Sequence, residues 1–98
     1  MPKFLISVPH DPDTLACAKV VQVFLATGSH LLANADWGCM DGDHSAYMFV
    51  DVANKDEARG IVPPAFRKDA HVVRMTRFKL ADIEETIRRH SKPAPSSG

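Results

Sequence analysis

The sequence has no surplus of either charge: twelve Lys and Arg balance twelve Asp and Glu over 98 residues. A general nucleic-acid binder needs an excess of cations to displace counterions from phosphate, so the balance argues against that class. No apolar run approaches the roughly 18 residues of a membrane helix. No basic leader runs into an apolar stretch, so no signal peptide is expected and the chain is read as cytoplasmic. Cysteine is scarce, only Cys17 and Cys39, and two cysteines in an unexported chain are expected to be free thiols rather than a disulfide. The sequence has no glycine-rich phosphate loop, GxSxG elbow or zinc-protease helix, so phosphoryl transfer and triad hydrolysis have no support. There is no internal repeat.

What remains is an ordinary globular composition, 45% apolar and 24% charged. The length sets one domain over residues 1–90, followed by a small, polar, proline-bearing stretch over 91–98 that reads as a disordered tail. A chain of this size buries only about 60–65% of its unfolded surface, which favours help from a partner subunit.

Phe4, Ile6 and Val8 alternate with Leu5 and Ser7 in a first strand that Pro9 ends. Asp11-Pro12-Asp13 opens a helix, with Asp11 as cap and Pro12 in the first helical position. Its apolar stripe is Cys17, Val20, Val21 and Phe24, and Gly28 closes it. Residues 30–40 alternate again and predict a strand, with Trp37 and Cys39 on one side and Leu32, Asn34 and Asp36 on the other. Asp41-Gly42-Asp43 predicts a hairpin turn with positive φ at Gly42, and 44–52 the return strand. Asn54 to Glu57 fits a capping box before a short helix that Pro63-Pro64 breaks. Residues 72–78 predict the last strand, with Val73 and Met75 facing the helices and Arg74 and Thr76 the other way. Residues 81–90 predict a terminal helix with Glu84–Arg88 and Glu85–Arg89 pairs.

The order is β-α-β-β-α-β plus a C-terminal helix. This is the α+β ferredoxin-like sandwich, a four-stranded antiparallel sheet with helices on one face. The other face is left bare. It carries Leu5, Ser7, Leu32, Asn34, Asp36, Tyr47, Phe49, Asp51, Arg74 and Thr76, a mixture too apolar to leave wet and too polar for a plain core. Two copies meeting sheet to sheet would bury the apolar members and leave the polar ones around a cavity.

Residues Phe24 to Gly28, Leu31-Leu32, Trp37, Asp41-Gly42, Val50 to Val52 and Asn54 to Ala58 give the chain a pattern that resembles the dimeric α/β barrel group. More narrowly, it resembles a set of short bacterial ferredoxin-like domains of unassigned function. That set carries a histidine after the tryptophan, where this chain has Gly38. The resemblance implies the fold and a homodimer through the sheet face, with larger rings open; the group includes lactone isomerases, cofactor-free monooxygenases and metal-binding members.

Three readings of the chemistry follow. The first is binding of a small ligand in the sheet-face cavity, with Ser7, Asn34, Phe49 and Thr76 as lining. The second uses that cavity for cofactor-free isomerisation or oxygenation of a small cyclic or aromatic compound. There Asp36 or Tyr47 carries the proton and Arg74 clamps an anion; cross-strand pairing at a dimer interface explains the same residues without a substrate. The third is a divalent transition metal (zinc, nickel or copper) held by His10, His44 and His71 with neighbouring aspartates at one end of the sheet. Capping and turn roles in water account for those aspartates equally, and no compact HxxxH or CxxC spacing is present. Cys17 and Cys39 read as small buried hydrophobes rather than reactive thiols. No cofactor is otherwise implied.

Overall fold

The computed structural model describes residues 1–91. The expected tail therefore lies, apart from Ser91, outside the described residues. The chain is α+β. Strand β1 (Lys3–Pro9) leads to helix α1 (Thr14–Ala26), a one-turn helix α2 (His30–Ala33), a short strand β2 (Asp36–Trp37) and strand β3 (Ser45–Asp51). Helix α3 (Lys55–Ile61), strand β4 (His71–Met75) and helix α4 (Leu80–His90) complete it. The four strands form one antiparallel sheet in the order β2-β3-β1-β4. Among the described residues, no helix is long and apolar enough to cross a membrane.

Alternation in β1 sends Phe4, Ile6 and Val8 to one face, where all three are buried. Their partners in β3, Val50, Met48 and Ala46, join them. Val20 and Phe24 of α1 and Ala58 of α3 close the same cluster from above. The core is thus a single layer between one sheet face and helices α1, α2 and α3, with Leu32 contributed by α2.

Five expectations are corrected. Residues 30–40 are not a continuous strand. The Ser29 hydroxyl accepts from the Leu32 N–H and caps α2 instead, burying Leu32 and turning Leu31 outward. The local cap outweighs the alternating pattern, and β2 is left with two residues. The turn before β3 is a 3-10 turn over Cys39–Asp41 rather than a hairpin turn over Asp41-Gly42-Asp43, although Gly42 takes the expected positive φ of 84°. The cap of α1 is Asp13, not Asp11; its carboxylate accepts from the Ala16 N–H, while Asp11 accepts from the Asp13 N–H.

The fourth correction reverses β4. Ile6 pairs with Val72, Leu5 with Val73 and Phe4 with Arg74. Directly paired residues share a face, so Val72 enters the core while Val73 and Met75 lie on the bare face and Arg74 on the helix side. The apolar alternation that matters is Ala70 and Val72, both buried, which is out of phase by one residue with Val73 and Met75. In α4, Glu85 pairs with both Arg88 and Arg89, and no Glu84–Arg88 bond forms. None of its residues is buried.

Candidate metal centre

Four side chains meet where β1 leaves the sheet. Pro9, the last residue of β1, pairs with Ser45, the first of β3. The next residue outward on each chain is a histidine. The His10 N–H donates to the His44 carbonyl at 3.0 Å, and their rings stand edge to face with centroids 5.8 Å apart. The chain then turns through the Asp11 and Asp13 side-chain bonds into α1. That places Cys17 one turn into the helix, above the same sheet end, its N–H bonded to the Asp13 carbonyl at 2.8 Å. Cys39 opens the 3-10 turn that follows β2.

Gly38 makes that turn possible. A Cβ there would lie 2.6 Å from the Asp43 carbonyl oxygen. Its own carbonyl accepts from the Asp41 and Asp43 N–H groups, both at 3.0 Å. Trp37 braces the other side, its ring edge-on to His10 at 5.7 Å and to Phe24 at 5.0 Å. The core aromatic thus fixes the ring that enters the cluster.

The geometry is tight. His10 Nε2 lies 3.2 Å from Cys17 Sγ and 3.2 Å from Cys39 Sγ, and the two sulfurs are 3.2 Å apart. His44 completes the group, with one donor atom from each residue all within 4.8 Å of one another. All four residues are half-buried. The Nδ1 atoms of both histidines are buried and have no hydrogen-bond partner among the described residues. Burial pushes the Cys39 thiol above its ordinary pKa, and the adjoining Cys17 and the charge of Asp43 add to the rise. A cavity of about 300 Å³, lined by Thr14, Ala18 and Met40 among others, opens onto Cys17, Cys39 and His44.

Two thiols and two imidazoles are the donor set of tetrahedral zinc sites. A point equidistant from three atoms 3.2 Å apart is about 1.8 Å from each, against zinc bonds of about 2.3 Å to sulfur and 2.0 Å to nitrogen. Slight spreading of the two sulfurs would let His10 Nε2, Cys17 Sγ and Cys39 Sγ hold such an ion, with His44 as the fourth donor.

Of the three histidines expected at a metal, His10 and His44 belong to this group and His71 does not. His71 pairs with Ser7 in the sheet and lines a second, wide cavity with Arg59 and Lys68, which His10 also borders. None of the neighbouring aspartates joins the four. Asp36 and Tyr47 are cross-strand partners on the bare face, but the Tyr47 hydroxyl donates to the Asp43 carboxylate. That bond holds the Tyr47 pKa above its ordinary value, with desolvation adding to it. Arg74 is on the opposite side of the sheet, so the expected trio is not assembled within one chain. Ser7 and Phe49 lie on the bare face. Asn34 caps the end of α2 and donates to the His30 carbonyl, and Thr76 lies beyond β4.

Cys17 and Cys39 are the functional candidates that the sequence reading set aside as inert. The missed signal was positional: Cys17 lies at the end of its helix stripe that overhangs the exit of β1. No family model matches this chain, and neither does any curated protein or solved structure.

Proposed function

We propose that this protein binds a transition-metal ion through His10, Cys17, Cys39 and His44, with zinc(II) the ion best suited to the donors. The observation that carries the reading is the convergence of four metal-ligating side chains from separate parts of the chain to within 4.8 Å. Thiolates and imidazoles together select zinc and other thiophilic ions over magnesium or calcium. The half-exposed position and adjoining cavity suit a site that loads from solution. Two free thiols in contact also favour a reducing compartment, in keeping with a cytoplasmic location.

The test is zinc or cobalt(II) titration of the reduced protein. One equivalent is expected, with thiolate-to-cobalt charge-transfer absorption, and Cys17→Ser or Cys39→Ser should weaken binding by at least a hundredfold. Wild-type protein that takes up no metal would refute the proposal.

The bare sheet face supports a second reading that is compatible with the first. Phe49, Val73 and Met75 are 60%, 50% and 40% exposed on it. The strand order β2-β3-β1-β4 supports the ferredoxin-like plan, and sheet-to-sheet pairing of two copies, as in the dimeric α/β barrel group, would cover these residues. A small ligand held between the sheets would meet Ser7, Asp36, Tyr47 and Phe49, without Arg74. Light scattering of Phe49→Asp against wild type decides it: a dimer that becomes a monomer supports the reading, and a wild-type monomer at high concentration rejects it.

A further inference from the structure

We infer that Cys17 and Cys39 form a dithiol–disulfide couple that a hydroperoxide oxidises, and that closing the disulfide expels the metal. The inference rests on the metal-binding reading and adds the regulation of that site. Three observations carry it. The sulfurs are in contact at 3.2 Å, although 22 residues separate them in sequence. Both cysteines are free and half-buried rather than sealed in the core. The same cavity of about 300 Å³ borders both, which gives a small oxidant a route to either sulfur.

The chemistry balances. One thiolate attacks the terminal peroxide oxygen and the O–O bond breaks, leaving a sulfenic acid and an alkoxide or hydroxide that takes a proton. The second thiolate then attacks the sulfenic sulfur and displaces hydroxide, which leaves as water. Two thiols are oxidised by two electrons and the peroxide is reduced to alcohol (or water) and water. Thiolate is the metal-binding form of cysteine, so the disulfide removes two of the four donors at once. His10 and His44 alone do not hold the ion. A dithiol reductant reverses the step.

The experiment uses the full chain, reduced and loaded with one equivalent of zinc, with hydrogen peroxide as the probe. Free thiols, intact mass and released zinc are followed together. The expected result is the paired loss of both thiols, a mass lower by two hydrogens, one zinc released per chain, and recovery of all three with dithiothreitol. Cys39→Ser should instead yield a sulfenic acid on Cys17 that a cyclic 1,3-dione captures. Zinc and thiols that survive peroxide would overturn the inference while leaving the metal reading intact. So would sulfinic acid on single cysteines, or disulfides between chains. Failure to load zinc at the outset would instead defeat the metal reading, before any oxidant is added.

Discussion

Gly38→Ala isolates the loop that delivers Cys39. The added methyl would lie 2.6 Å from the Asp43 carbonyl oxygen and 3.0 Å from the Asp43 Cβ. Ordinary contact begins near 3.4 Å, so the loop must open by most of an ångström. The obstructing atom is backbone, and it cannot swing aside as a side-chain tip would. The same loop is closed by the Asp41 and Asp43 N–H bonds to the Gly38 carbonyl and by the Gly38 N–H bond to Ser45. Overpacking of this kind costs about 1–3 kcal/mol. In a domain this size that lowers the melting temperature by about 5–20 °C. The matched control is Gly60→Ala, in α3, where a Cβ meets nothing within 4 Å. Better helix propensity there should stabilise by about 0.4–1 kcal/mol. Thermal unfolding of the reduced, metal-free proteins reads both, and zinc titration should show Gly38→Ala at least tenfold weaker. If Gly38→Ala melts within 2 °C of wild type and binds zinc equally, the close approach does not hold the loop in place.

Phe24→Ala removes a fully buried ring that packs against Trp37 and Phe66; chemical denaturation should register a loss of about 3–5 kcal/mol. Zinc at a hundred times its dissociation constant should stabilise the wild type by about 2.7 kcal/mol, and the Cys17→Ser variant by far less at the same zinc concentration. Binding displaces thiol protons, so each unit of acidification should weaken the apparent zinc affinity by up to about a hundredfold where both thiols are protonated. Tyr47 should titrate above the ordinary tyrosine range, and Asp43→Asn should bring it down. Because the folded-state pKa is raised, its contribution to stability is present below the unfolded value and is lost as pH rises through the folded one. Ultraviolet titration of the phenol follows the shift.

Most of the fold is written locally. The alternation of Phe4, Ile6 and Val8, the Asn54–Glu57 cap and the positive φ of Gly42 each depend on a few adjacent residues. The errors arose where two local signals competed. At residues 30–35 a serine cap prevailed over an alternating pattern. In β4 two overlapping alternations differed by one residue, and only the pairing with Ile6 and Leu5 decides between them. The candidate site was legible by halves for the same reason. His10 and His44 flank paired strand ends, so placing them together needs only the β1–β3 register. Cys17 and Cys39 lie on different elements and carry no shared spacing. Their meeting depends on how α1 crosses the sheet end and on a loop fold that Gly38 and Asp43 set together. An apolar-stripe cysteine is scored as core wherever it lies along the stripe. Only its position above the β1 exit separates it from Val20 and Phe24, which the core swallows. A cysteine in the first turns of a helix that returns over a strand ending in histidine is therefore a better site marker than either residue type alone.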